Sequence, residues 1–272
     1  MWRRLRRTPG SVFGLAIVGA IVLAAIFAPL LAPADPLVQN LANAAQPPSL
    51  HHPFGTDKLG RDLFSRILYG AQISIRIGFV AVGLAITVGT AIGLVAGYFG
   101  GKLGAWLMAA MDLMLAFPPI ILAIAITTIL GPSITNVMIA VGIVYIPQYA
   151  RLARSAVLGV KETEYIEAAR ALGALAPRIL VRHVLPNILA PLLVQATLGI
   201  ATAELEAAGL SYLGLGARPP APEWGAMLND ARSYWLSAPW AIVFPGLAIT
   251  LLVLGFNLLG DGLRDALDPK LR

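Results

Sequence analysis

Cysteine is absent from this chain of 272 residues. That excludes a disulfide framework, a thiol nucleophile and a thiolate metal site, and it leaves the compartment open. Histidine is scarce, with 3 residues, so a catalytic metal centre is not expected. Charge is scarce as well: 12% of residues are charged, against about 25% in a soluble domain. The motifs of hydrolytic chemistry are missing. No His-Glu-x-x-His and no Gly-x-Ser-x-Gly occurs. The nearest approach to a phosphate-binding loop is Gly100-Gly101-Lys102, but Leu103 replaces the Ser or Thr and Ala96 stands where the first Gly belongs. The chain is therefore not expected to be an enzyme or to hydrolyse ATP by itself.

What is present is apolar length. Hydrophobic residues make up 58% of the chain and its mean hydropathy is +0.77, so the solvent for most of it is lipid. A spanning helix needs about 20 mostly apolar residues. Stretches that qualify cover residues 12–34, 77–101, 103–130, 134–150, 184–203 (continuing to about 210) and 233–260. The expected fold is an all-α polytopic membrane protein with six transmembrane helices. Ala32-Pro33-Ala34 resembles a signal cleavage site, but the apolar run before it is longer than the roughly 7–15 residues of a signal core, so an uncleaved anchor is expected. Gly131-Pro132-Ser133 punctuates the third and fourth stretches. Gly89, Gly93 and Gly97, four residues apart, form a small-residue stripe suited to close helix packing, although glycine is also simply common in membrane helices.

The net charge of +6 reads as the positive-inside bias of a membrane protein rather than as a nucleic-acid footprint. Placing the N-terminus in the cytoplasm puts about fourteen of the 20 Lys and Arg inside and about six outside. The inside set includes Arg3, Arg4, Arg6, Arg7, Lys102, the group from Arg151 to Arg182, Arg264, Lys270 and Arg272. Both termini are then cytoplasmic. The chain divides into an N-terminal segment with the first span (1–35), an extracytoplasmic loop (36–74) and a five-helix core (75–272) with a polar island at about 151–187.

That island reads as helix, break, helix, break. Residues 161–172 are rich in Glu, Ala, Arg and Leu, all good helix formers. Gly173 suits the left-handed position that ends a helix, Pro177 the first turn of the next, and Pro186 marks re-entry into the fifth span. Tyr165, Ala168, Ala169 and Leu172 share one face at helical spacing. Glu mixed with Arg argues against a helix lying in the lipid interface, which would be mainly basic. A docking surface for a soluble partner is the better reading.

At this point a family resemblance enters. Glu167-Ala168-Ala169, Gly173, and then His183-Val184-Leu185-Pro186-Asn187 resemble the EAA loop of ABC-importer permeases, with His183 where the general pattern has Ile. The chain looks like a C-type permease subunit of the dipeptide/oligopeptide/nickel branch. Residues 52–62 (HPFGTDKLGRD) followed by Ser65-Arg66, residues 112–118 (DLMLAFP), and residues 210–216 (LSYLGLG) followed by Pro219-Pro220 and Trp224-Gly225 resemble the same branch, in the same order. The resemblance implies a type I ABC-importer permease fold that forms half of a translocation pathway for di- or oligopeptides. It implies a second permease subunit in a heterodimer, two ATPase subunits that carry the ATP and Mg, and an extracytoplasmic binding protein, with no cofactor on this chain and no nucleic acid. The location implied is the bacterial or archaeal cytoplasmic membrane. Tyr165, Glu167, Ala168, Ala169, Leu172 and Gly173 would couple to the ATPase. Gly55, Asp57, Arg61 and Asp62 are candidates to contact the binding protein. The alternative is a self-contained channel or secondary transporter, although no internal repeat is evident.

Carboxylates inside apolar stretches are costly and need a partner or water. Asp112, Glu204 and Glu206 are therefore candidates for the pore or gate. For Asp112 a structural hydrogen bond is the competing reading. Related chains usually carry an Arg three residues before this Asp, where this chain has Ala109, so Asp112 is expected to lack its usual partner. Glu204 and Glu206 would either face the path near the outer gate or bond to Arg218 or Arg232.

Overall fold

The computed structural model describes residues 9–267. Arg3, Arg4, Arg6, Arg7, Lys270 and Arg272, which carry part of the expected charge asymmetry, lie outside the described residues. Helices account for nearly all of the ordered structure, and the β-type pairing recorded is an isolated antiparallel bridge between Thr56 and Asp62. The principal helices are α1 (Pro9–Ile26), α2 (Leu63–Phe99), α3 (Gly101–Leu115), α4 (Pro119–Leu130), α5 (Ile134–Val160), α6 (Glu164–Ala171), α7 (Leu185–Tyr212), α8 (Trp224–Ala231) and α9 (Trp240–Leu267).

The axis of the bundle is the pair α2 and α5, the most extensive helix contact in the molecule. Their approach is set by the glycine stripe. A methyl group on Gly89 would come within 2.6 Å of the Ile146 carbonyl oxygen, one on Gly93 within 2.6 Å of Ala153 Cβ, and one on Gly97 within 2.8 Å of Val157 Cβ. From the other side, Gly142 of α5 lies where a methyl would meet Leu84 Cδ2 at 2.8 Å. In lipid, where apolar burial gives helices little drive to associate, such backbone proximity and the dispersion contacts it permits hold the pair together. α7 and α9 pack around this axis, and α1 lies against α9 through Gly14 and Gly255.

Among the described residues, four helical segments are long and apolar enough to cross a bilayer: Pro9–Ile26, Leu63–Phe99, Ala176–Tyr212 and Trp240–Leu267. The pair α3 and α4 makes a fifth if taken as one span. The stretch read as one helix over residues 103–130 is in fact bent by 92° between these two helices. Pro118 explains the bend. It disfavours a helical residue 117, adopts an extended ψ of 131°, and hands the new helix its start at Pro119. The one expected span missing from this set, the fourth at residues 134–150, falls on α5. At 27 residues it is long enough, but Asn136, Pro147, Gln148, Arg151 and Arg154 lower its apolarity. Val137, Val141, Val144, Ala150, Ala153 and Val157 are buried, so neighbouring helices rather than lipid cover that face.

The second span also begins earlier than the uncharged stretch at residue 77. α2 starts at Leu63, where the Asp62 carboxylate caps it by accepting from the Ser65 amide at 2.8 Å and from the Ser65 hydroxyl at 2.8 Å. Arg66, Gln72 and Arg76 do not end the helix, because a helix tolerates polar side chains wherever they find partners or solvent.

Candidate functional site

Polar structure gathers at the two ends of α2. At its C-terminal end sits α6, which begins after Thr163 and ends at Ala171, inside the expected 161–172. Its termination follows from Gly173. With φ +80°, Gly173 lets its own amide bond the Arg170 carbonyl at 2.9 Å and lets the Ala174 amide reach back to Ala169 at 3.0 Å. This pair of bonds is the Schellman arrangement, which turns the chain sharply at the helix end. Nothing surrounds Gly173, so the constraint there is conformational rather than steric.

Of the residues singled out on this loop, Tyr165, Glu167, Ala168, Leu172 and Gly173 are exposed and Ala169 is half-buried. Leu172 is 88% exposed and the neighbouring Leu175 is 75% exposed, which is unusual for leucines on a polar loop. The helix is held from below by Ile166, which is fully buried with Ile179, Val184 and Ile188. Sequence inspection missed Ile166. Its signal was the lone large apolar residue between Tyr165 and Glu167, on the face opposite the motif. Two further contacts tie the loop to α2: Lys161 Nζ donates to the Gly97 carbonyl at 3.3 Å, and the Arg170 guanidinium lies 5.3 Å from the centre of the Tyr98 ring. Beyond the loop, residues Leu180–Val184 form a widened helical turn that runs directly into Leu185-Pro186, and Asn187 Nδ2 donates to the His183 carbonyl at 2.6 Å. The missing N–H of Pro186 removes one ordinary α-helical bond at this point, which is consistent with the wider turn.

At the opposite end of α2, residues 34–66 fold into an ordered cap. Asp57 is its centre. It accepts from the Leu59 amide at 2.9 Å, the Arg61 amide at 3.0 Å and Arg61 Nε at 2.6 Å, with Arg66 Nε at 3.8 Å. Arg66 Nη1 donates to the Pro36 carbonyl at 3.0 Å, and Arg61 lies 3.6 Å from Asp230 of α8. His52 Nδ1 meets Asp62 at 2.9 Å. The Trp240 indole donates to the Thr56 carbonyl at 3.0 Å, and Phe54 stacks on Phe244 at 4.0 Å. Gly55, Asp57, Arg61 and Asp62 are all buried, the three charged ones at 3% exposure or less. The sequence expects them to contact a binding protein; the fold places their side chains inside the cap. Their side chains are consumed in holding the cap, and its outer surface is made by residues such as His51, Pro53 and Lys58. Glu223, which the sequence reading did not single out, is fully buried in the same region and caps α8 by accepting from the Gly225 and Ala226 amides at 2.8 and 2.7 Å. Burial pushes its carboxyl above the usual range, and the two amides partly offset that.

The three carboxylates inside the spans have different fates. Asp112 is half-exposed and bonds Arg151 at 2.8 Å across α3 and α5. It therefore has a guanidinium partner, contrary to expectation, supplied by a distant helix instead of by position 109. Glu206 accepts from the Tyr145 hydroxyl at 2.8 Å. Glu204 is fully buried, and neither of its oxygens has a hydrogen-bond partner among the described residues. Neither glutamate forms an ion pair with Arg218 or Arg232 among the described residues. A cavity of about 890 Å³ opens between α2, the turn joining α4 to α5, and residues 217–221.

Residues 89–272 match the family model described as the binding-protein-dependent transport system inner membrane component. The chain belongs to that family. Residues 1–48 match the N-terminal transmembrane domain of oligopeptide transport permease C. Among relatives, the permease is 52% identical over 271 residues to the dipeptide transport system permease protein of Alkalihalophilus pseudofirmus, covering 100% of this chain and 89% of that one. It is 44% identical to the dipeptide transport system permease protein of Haemophilus influenzae, covering 100% and 94%. It is 50% identical to the glutathione transport system permease protein of Escherichia coli, covering 100% and 90%. In fold it is similar to a methionine ABC transporter solved in an inward-facing conformation, with a TM-score of 0.61 and 22% identity over 75% of this chain and 96% of that one. The permease is thus a multi-pass inner-membrane subunit of an ABC importer, a class that works with ATPase and binding-protein components. That membership sets aside the self-contained channel and the secondary transporter.

Proposed function

We propose that the permease forms one half of the pathway of a peptide importer, with α6 as the element that receives the ATPase stroke. The observation that carries the coupling role is the exposed face of Tyr165, Glu167, Ala168 and Leu172 on a helix anchored from beneath by Ile166. Ala168 and Ala169 leave room for a close approach, Glu167 offers a charge-assisted hydrogen bond, and Leu172 offers an apolar contact. The loop is continuous with α5 through residues 161–163 and with α7 through the widened turn, and it touches the end of α2 through Lys161 and Arg170. A displacement of α6 therefore pulls on three helices at once. Packed helices move as bodies, which converts such a push into alternating access. Peptides are the substrate class because the relatives at 52% and 44% identity are named for dipeptide transport. Glutathione, named for the relative at 50% identity, is itself a peptide derivative.

The remainder of the assembly follows from this reading. α5 is the fourth of six spans, both termini and α6 face the cytoplasm, and the cap of residues 34–66 faces outward. A second, similar permease completes the pathway. Two ATPase subunits carry ATP and Mg, this chain carries no cofactor and catalyses nothing, and the binding protein delivers substrate to the cap side. Asp112 acts at the inner gate as the acceptor for Arg151, so that α3 and α5 separate when the pair opens. The test is substrate-stimulated ATPase activity and peptide uptake in the reconstituted complex. Gly173→Val, which strains a backbone at φ +80°, and Glu167→Lys should both lower coupled activity while the chain still inserts. Wild-type activity in both variants would refute the docking role.

A further inference from the structure

The cavity of about 890 Å³ is lined by two arginines, Arg76 and Arg218, and by no carboxylate. Neither arginine forms an ion pair among the described residues, and both are exposed. Arg76 is the less expected of the two. It lies at the outer margin of the uncharged stretch 77–101 of α2, with Ile77 and Gly78 buried beside it. A guanidinium at the edge of a span is best placed facing water or a negative group. Arg61, just before α2, and Arg66, in its first turn, are both engaged internally, with carboxylate and carbonyl oxygens. Arg76 and Arg218 are left free, and the cavity they line also presents Gln72, Ser133 and Asn136.

We propose that this cavity is a transient binding site for the terminal carboxylate of the transported peptide, with Arg76 and Arg218 as its anion-recognising residues. The proposal rests on the peptide reading above. The chemistry fits on three counts. Guanidinium forks match the planar carboxylate and can bind it by two parallel bonds. The cavity volume falls within the roughly 300–1,000 Å³ typical of small-ligand sites. Every unmodified peptide also presents a terminal carboxylate, whatever its side chains, so a site that reads it suits a carrier of varied sequences. Two unpaired positive charges at a mouth raise the local concentration of an anionic end and orient it on entry.

The experiment uses the complete importer, reconstituted with its binding protein, and trialanine together with its C-terminal amide as probes. Arg76→Gln and Arg218→Gln should each raise the half-saturation for trialanine uptake by about tenfold or more. Arg76→Lys, which keeps the charge but not the fork, should recover only part of that loss. Uptake of the amide, measured at saturating binding protein, should be unchanged by any of the three. Unchanged half-saturation for the free acid in both Gln variants, with wild-type uptake intact, would overturn the proposal. So would loss of the partner permease on purification of the Gln variants, since the arginines would then be pairing across the subunit interface. A wild-type complex that takes up no peptide at all would instead sink the peptide reading. A second measurement needs no variant: a tripeptide with a photoreactive group beside its carboxylate should label residues 72–76, 131–136 or 217–221, and labelling confined elsewhere would contradict the site.

Discussion

Asp57→Ala should open the outer cap of the permease. The Asp57 side chain accepts from two backbone amides and from Arg61 Nε at 2.6 Å, and Arg66 Nε lies 3.8 Å away. Arg61 and Arg66 are each 2% exposed. Truncation leaves two buried guanidinium groups beside each other with Asp230, 3.6 Å from Arg61, as the nearest recorded counter-charge. Removing one partner of a buried pair costs about 3–5 kcal/mol. At about 1.4 kcal/mol per decade, local opening becomes about a hundredfold to a few thousandfold more frequent. Hydrogen exchange on the assembled complex reads this directly, as lost protection of amides between Leu59 and Ser65. Asp57→Asn keeps one acceptor oxygen and should lose less. Adding Arg61→Met to Asp57→Ala should recover part of the loss, because one of the two stranded charges is removed. Protection that stays within about threefold of wild type in Asp57→Ala would refute the view that these charges hold the cap instead of facing a partner.

Other perturbations separate packing from coupling. Gly93→Val should destabilise the α2–α5 pair by about 1–3 kcal/mol through overpacking against Ala153. Gly83→Ala, where nothing lies within 4 Å, should leave thermal stability in detergent unchanged; equal effects would contradict the close-packing account. Ile166→Ala should cost about 2–5 kcal/mol locally, seen as faster exchange across residues 164–171 and weaker ATPase coupling with the exposed face intact. Asp112→Asn removes a pair in which both side chains are more than half exposed. It should shift the unfolding free energy by no more than about 1 kcal/mol; a larger loss would mean the pair is structural and not a gate. Because the chain has no cysteine, a cysteine at Arg170 should resist membrane-impermeant reagent in intact cells while one at Lys58 reacts, and the reverse pattern would invert the topology.

The parts of this fold that depend on local pattern were readable from the chain. Apolar runs announced the long helices, Gly131-Pro132-Ser133 the turn before α5, and Gly173 the end of α6. The glycine stripe at 89, 93 and 97 foretold the most extensive helix contact. What escaped depended on distant partners. The start of α2 at Leu63 was hidden because Arg66 reads as a surface residue until the Pro36 carbonyl and Asp57 are placed beside it. The bend between α3 and α4 hid inside one apolar run, with Pro118 as its only mark. Asp112 looked unpartnered because Arg151 is brought to it by packing and not by spacing. Gly55, Asp57, Arg61 and Asp62 looked like an outward-facing motif for a similar reason: a charged, glycine-containing segment reads as surface, whereas its charges neutralise one another indoors. For α6 the motif marked the exposed face, and the buried Ile166 that fixes its angle had no motif to mark it.

The most direct test of the central claim is site-directed crosslinking from α6 in the assembled importer. The cysteine-free chain permits single cysteines at Ala168, at Leu172 and, as a control at the other end of α2, at Lys58. The account predicts that the first two crosslink to an ATPase subunit, with a yield that changes between nucleotide-free and ATP-bound complexes, and that Lys58 crosslinks only to the binding protein. Absence of any ATPase adduct from Ala168 and Leu172 in an active complex, or an ATPase adduct from Lys58, would contradict it.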